Sequence, residues 1–190
     1  MSTVVTLASG RIRLRAWRDE DREPFAAMNS DPRVMEFFQS GLSRAESDAM
    51  VDRIQKHFSE HSFSLWAVEV PGVAPFIGFT GLAVPRFSAH FTPCVEVGWR
   101  LAFEHWGRGY ATEAARLALG YGFATLALSE VVSYASATNL RSRAVMERLG
   151  MRRDPADDFD YPTIPEGHPL RRHVLYRLGS GSYSAPVVGA

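Results

Sequence analysis

The stretch Glu104–Ala115, EHWGRGYATEAA, carries the densest chemical signal in the chain. Gly107 and Gly109 stand between a run that alternates like a strand and a run that repeats like a helix. Glycine permits close backbone approach and φ values closed to other residues, and the unpaired N–H groups of a first helical turn favour an anion. A phosphate therefore fits over this junction, although a tight strand-to-helix turn that binds nothing would use the same residues. A dinucleotide fingerprint needs three glycines in GxGxxG and a P-loop needs a lysine followed by Ser or Thr, and the sequence has neither.

A second informative stretch is Thr138–Met151, TNLRSRAVMERLGM. Asn139 suits the N-cap of a helix and Ser142 follows three residues later. Both come just after a strand expected to run parallel to the one feeding the glycine turn. That places them at the same end of the sheet, where open α/β sheets bind ligands. Glu96 shares a strand face with Gly98, whose missing side chain leaves room for a ligand. It is the candidate proton acceptor, with an arginine-paired strand carboxylate as the alternative. His90 and His105 are secondary candidates for the same role.

The patterns along the chain define the elements around these residues. Ile12, Leu14 and Ala16 alternate with arginines, and an acidic turn from Asp19 opens a helix to about Asn29. Ser43 with Glu46 forms a capping box ahead of a helix reaching about Glu60. Strands are expected over 63–70, 76–84 and 94–101, the three forming an antiparallel meander. An alanine- and leucine-rich helix over 109–126 reads as buried on most sides. A strand over 130–136, a helix over 139–149 and a closing strand over 171–178 complete the order. Because a long helix separates the strand over 94–101 from the strand over 130–136, a parallel crossover is expected.

With 190 residues, of which 46% are hydrophobic, the chain is long enough for one continuous core and short for two. Lys plus Arg and Asp plus Glu both total 21, so no overall field recruits nucleic acid or an anionic bilayer. Lys56 is the only lysine, which favours planar arginine contacts, and codon bias would produce the same pattern. Cys94 is the only cysteine, which excludes an intrachain disulfide and a cysteine-based metal cluster and fits a reducing cytoplasm. No apolar run is long enough to insert in a membrane, and Met1–Gly10 lacks a secretory pattern. Residues 10–178 are expected to form the domain, and 179–190 (GSGSYSAPVVGA) a disordered tail.

The two glycine- and asparagine-centred stretches together resemble the GNAT superfamily of N-acetyltransferases, closest to its branch of ribosomal-protein N-terminal acetyltransferase-like enzymes. The superfamily's pyrophosphate loop reads Gln or Arg, two residues, Gly, one residue, then Gly or Ala. Trp106–Ala111 fits it except at Trp106, a replacement usual in a branch that reads WGxGYATEA. Asn139, Ser142, Gly150 and Met151 match the second signature, and the resemblance runs from about Arg11 to Leu178.

The resemblance implies an α/β domain with a mixed sheet of about seven strands, helices on both faces, and a CoA slot between splayed parallel strands. It implies acetyl-CoA as co-substrate, with backbone N–H groups of Gly107, Arg108, Gly109, Tyr110, Ala111 and Thr112 on the pyrophosphate. Trp99, Arg100 and Leu101 would give main-chain contacts to the pantetheine and acetyl carbonyl, and Asn139 would bind the pantetheine. Many members carry a tyrosine acid seven residues after that asparagine. Here the position is Met146, leaving Ser142 as the candidate donor to the departing thiolate. No metal is implied.

For the acceptor amine, Phe37, Phe38 and Trp66 are candidate walls, and Asp157 and Asp158 within DPADDFD are candidate partners for a cation. Core packing and a solvated acidic loop are the corresponding alternatives. The expected reaction is acetylation of a protein or peptide α-amine; a small-molecule amine, or a non-catalytic acyl-CoA-binding module, stands beside it. The oligomeric state is left at monomer or homodimer.

Overall fold

The computed structural model describes residues 4–183. β1 (Leu7–Ala8) turns into β2 (Arg13–Arg15), and a 3-10 turn at Asp19–Asp21 leads into α1 (Arg22–Ser30). α2 (Arg44–His61) opens on the expected capping box. Ser43 Oγ accepts the Glu46 N–H at 3.3 Å, and the Glu46 carboxylate accepts the Ser43 N–H at 2.8 Å. β3 (Leu65–Val70), β4 (Ala74–Ala83) and β5 (Glu96–Leu101) form the antiparallel meander. They are followed by α3 (Tyr110–Ala124), β6 (Glu130–Ser136) and α4 (Leu140–Arg148). Two short strands, β7 (Arg152–Arg153) and β8 (Phe159–Asp160), precede β9 (Arg172–Gly179).

The strands make one mixed sheet in the order β1-β2-β3-β4-β5-β6-β9-β7, with β8 also paired to β9. Among the described residues this is nine strands against the expected seven, and three of them, β1, β7 and β8, are two-residue strands too short to show alternation. β5 and β6 are the parallel pair, and their registered contact is confined to Glu96 opposite Val132, with the Val132 N–H donating to Val95 O at 2.9 Å. β4 lies close against β5 on the other side. At Gly78, with φ 135°, a Cβ would stand 2.2 Å from the Arg100 carbonyl oxygen, so only glycine fits that register.

Alternation along β5 sorts its side chains. Val97 and Leu101 are buried in the main core with the alanine-rich face of α3, where Ala114, Ala115, Ala118 and Leu119 are fully buried. Glu96, Gly98 and Arg100 point to the other face. There Phe79, directly opposite Arg100, packs on Phe25 of α1 with ring centroids 5.9 Å apart. α1 and α3 thus cover opposite faces. A buried ion cluster ties β2 to the turn before α1: Arg15 Nη1 and Nη2 donate to the Asp21 carboxylate at 2.7 and 2.8 Å, and Nε donates to Glu69 at 2.8 Å.

Two expectations change. Trp66 walls no pocket: it is fully buried between Phe58 and Tyr121, at ring distances of 5.2 and 5.6 Å. Residues 179–183 are not the disordered tail expected there: Gly179 ends β9, Ser180–Ser182 make a 3-10 turn, and the Tyr183 ring packs 4.9 Å from that of Phe123. The remainder of that expected tail, 184–190, lies outside the described residues.

Candidate active site

Beyond the Glu96–Val132 contact the parallel strands part, and a cleft of about 700 Å³ opens at their C-terminal ends. It is lined by the end of β5, the glycine turn and first turn of α3, the start of α4, and the loop between α1 and α2. The order of elements forces this convergence, since a parallel crossover returns both strand ends, and the helices after them, to one edge.

Gly109 is the N-cap of α3 with φ 80°, and Gly107 has φ 74°, both in the left-handed region that favours glycine. A Cβ at Gly107 would meet nothing within 4 Å, and one at Gly109 only the Arg11 Nη2 at 3.8 Å. Backbone sign demands glycine here, and the space above the turn stays open. The first helical bond runs from the Glu113 N–H to Gly109 O at 3.1 Å, so the N–H groups of Tyr110, Ala111 and Thr112 have no helical carbonyl behind them. Gly107, Gly109, Tyr110, Ala111 and Thr112 line the cleft together with Trp99, Arg100 and Leu101; Arg108 is exposed and does not. The residues present therefore fit a pyrophosphate.

Two contacts that sequence spacing did not show fix this turn. The Trp106 indole donates to Leu101 O at 2.8 Å, joining strand end to turn. Glu113 accepts from Arg11 Nε at 2.9 Å and Ser9 Oγ at 2.6 Å, tying the head of α3 to the β1–β2 hairpin.

Across the cleft, Asn139 caps α4, its Oδ1 accepting the Ser142 N–H at 3.1 Å. Capping uses the carboxamide oxygen and leaves the Nδ2 donors available. Asn139 and Ser142 both line the cleft, whereas Met146 is buried in the core, so no hydroxyl reaches in from that position.

Glu96 lies on the α1 face outside the cleft lining, at the closed end of the strand split. A Cβ added at Gly98 would stand 3.5 Å from Glu96 Oε1, so the gap left by glycine lies against this carboxyl. The Tyr134 hydroxyl, from β6, donates to Glu96 Oε2. Desolvation pushes the Glu96 pKa up to about 8. No arginine pairs with it among the described residues, contrary to the alternative raised from sequence. Around Tyr134 stand Phe87, Phe91, Phe159, Tyr161 and His173, which explain the dry surroundings. Of the secondary histidines, His105 lines the cleft with a buried, unpartnered Nδ1, while His90 faces Asp157 at 3.4 Å.

Phe37 and Phe38, the candidate acceptor walls, line the cleft from the α1–α2 loop. That loop is clasped to α4 by an ion pair between Glu36 and Arg141, whose guanidinium also stands 4.9 Å from the Trp106 ring and 5.3 Å from Phe37. Asp157 and Asp158 sit elsewhere and are occupied. Asp157 accepts from Arg177 at 2.7 Å, Asp158 is paired with Arg153, and these arginines hold both carboxyls below the usual range. The acidic run is thus folded onto its own arginines and does not face the cleft.

Residues 11–152 match the family model described as an acetyltransferase (GNAT) domain. Among curated relatives, the chain is 32% identical over 152 residues to the uncharacterized protein YkkB of Bacillus subtilis (strain 168), covering 80% of this chain and 87% of that protein. It is also 32% identical over 173 residues to the FsC-acetyl coenzyme A-N(2)-transacetylase of Aspergillus fumigatus, covering 85% of this chain and 71% of the relative. A similar solved fold is spermidine N-acetyltransferase from Vibrio cholerae in complex with CoA and spermine, with a TM-score of 0.71, 19% identity, 92% of this chain covered and 99% of that one. Among the described residues no cluster of His, Cys, Asp and Glu is placed to hold a metal, and no helix is long and apolar enough to cross a membrane. With the glycine turn, the split sheet and the family match in agreement, the chain belongs to the GNAT family of acetyl-CoA-dependent N-acetyltransferases.

Proposed function

We propose that this chain transfers the acetyl group of acetyl-CoA to the primary amine of a small molecule. The observation that carries the transfer is the convergence of the left-handed Gly107–Gly109 turn and the Asn139–Ser142 cap on one cleft at the split between β5 and β6. Acetyl-CoA supplies the activated acyl group. The N–H groups of the α3 first turn and of Gly107 to Gly109 hold its pyrophosphate, main-chain groups of Trp99, Arg100 and Leu101 align its arm, and Asn139 Nδ2 donates to it.

The amine attacks once it has lost a proton. Glu96 accepts that proton, directly or through water in the gap at Gly98. The new C–N bond forms as the C–S bond breaks, and the Ser142 hydroxyl donates to the departing thiolate in place of the absent tyrosine.

A small acceptor is favoured because the Glu36–Arg141 clasp draws the α1–α2 loop over the cleft. A polycation finds no acidic side chain among the residues that line the cleft. A peptide or protein α-amine is the second reading, favoured by an open groove of about 390 Å³ beside the cleft, bounded by Pro32, Arg33, Glu36, Phe103, Trp106 and Arg141. Thiol release from acetyl-CoA, measured over small amines and short peptides, tests both readings. Transfer to small amines at rates well above peptides is expected. Tight acetyl-CoA binding with no release in the presence of any amine would identify a non-catalytic module.

A further inference from the structure

Arg100 occupies an unusual position for a cation. It lines the cleft on the α1 face, with its guanidinium carbon 4.1 Å from the Phe38 ring centroid and 5.4 Å from that of Phe79. Among the described residues its hydrogen bond goes to a neutral group: Nη1 donates to Asn29 Oδ1 at 2.7 Å. Nε is buried with no partner, and among the described residues no carboxylate lies within ion-pair distance. Desolvation lowers the pKa to about 10, which leaves the group a cation at neutral pH.

Elsewhere the chain pairs its buried arginine fully, as Arg15 shows with Asp21 and Glu69. A desolvated cation without a counter-charge is costly, and the cost falls when an anion enters. The arginine fork is shaped to take a carboxylate through two parallel N–H donors. Asn29 is itself fully buried and anchored, with Nδ2 donating to Ser47 Oγ at 2.7 Å, so the fork is held at a fixed point of the cleft wall.

The direction of the side chain separates this group from the pyrophosphate turn. Arg100 shares its strand face with Glu96 and Gly98, opposite the face on which Leu101 and Val97 pack toward α3. Base candidate, glycine gap and free cation therefore lie in a row along one face of β5. An acceptor lying on that row meets a proton acceptor at one end and a cation at the other.

We infer that Arg100 anchors a carboxylate carried by the acceptor amine, so that the substrate class is amino-carboxylates, such as free amino acids, and not polyamines. The inference rests on the transferase reading above. It leaves two sources of the carboxylate, the α-carboxylate of a free amino acid and an acidic side chain behind a peptide N-terminus.

The test compares kcat/KM for L-amino acids and their C-terminal amides, with spermidine and paired Ser-Glu and Ser-Gln dipeptide amides as further arms. The wild-type enzyme is expected to prefer acids over their amides by at least about 10-fold, because the amide leaves the fork unpaired. Arg100→Gln should collapse that ratio at least about 10-fold, and Arg100→Lys should restore part of it. Preference for Ser-Glu over Ser-Gln, without use of free amino acids, would assign the carboxylate to a peptide side chain.

A role limited to holding Asn29 and Phe38 would slow acids and amides alike, leaving the ratio unchanged in Arg100→Gln, and that result overturns the inference. Amides or spermidine used as well as acids by the wild type overturns it too, while leaving the transferase reading intact. Failure to acetylate any arm while acetyl-CoA still binds counts against the transferase reading itself.

Discussion

The Tyr134 hydroxyl donates to the Glu96 carboxylate across the parallel pair of β5 and β6, at the point where those strands are still joined. Burial raises the carboxyl's pKa to about 8, and the phenol partly opposes that rise by favouring the charged form. If Glu96 is the base, kcat/KM should climb with pH through a limb near 8, since only the ionised carboxylate accepts a proton. Tyr134→Phe should move that limb upward by about half a unit or more, and Glu96→Gln should remove it and slow the reaction most at neutral pH. A limb unmoved in both variants assigns proton removal to another group.

Asn139 caps α4, and one substitution can separate that role from its proposed contact with acetyl-CoA. Asn139→Asp keeps an oxygen to cap the Ser142 N–H but loses the Nδ2 donors. Acetyl-CoA affinity should fall by about 10-fold with melting temperature nearly unchanged, whereas Asn139→Ala should also cost about 1 kcal/mol of stability through the lost cap. Calorimetric titration and thermal melts read the two effects independently.

Ser142→Ala should lower kcat by roughly 10-fold or more with little change in acetyl-CoA affinity, because a donor to the leaving thiolate acts mainly in the transition state. Unchanged kcat makes Ser142 a helix residue only.

Most of the scaffold was legible because its signals are local. The Ser43–Glu46 box, the alternation of β5 and the alanine-rich face of α3 each announce an element within a few residues. β1, β7 and β8 are two-residue strands whose pairing depends on a distant partner, so no local pattern marks them. In the site, the glycine turn and the Asn139 cap could be read from spacing. The partners that set its electrostatics could not: Tyr134 lies 38 residues from Glu96, and Arg141 lies 105 from Glu36. The same holds for DPADDFD, whose Asp157, Asp158 and Asp160 look free in sequence and are paired in the fold with Arg153, Arg171, Arg172 and Arg177.

That pairing reverses an expectation. Asp157→Asn with Asp158→Asn should leave the KM of a cationic acceptor within about twofold of wild type at low salt, and should instead lower the melting temperature by a few degrees as two ion pairs are lost. A several-fold rise in KM that salt abolishes would return the acidic run to the acceptor site.

The measurement closest to the central claim is calorimetric binding of acetyl-CoA to Gly109→Glu. Gly109 is held at φ 80° at the head of α3, and a carboxylate there both strains the turn and repels a pyrophosphate. Gly109→Ala, which adds only the backbone strain, gives the uncharged comparison. With circular dichroism matching the wild type, binding is expected to be lost in Gly109→Glu and weakened in Gly109→Ala. Wild-type affinity in a folded Gly109→Glu protein would contradict the account, because the cleft at the split of β5 and β6 would then not hold the cofactor at this turn.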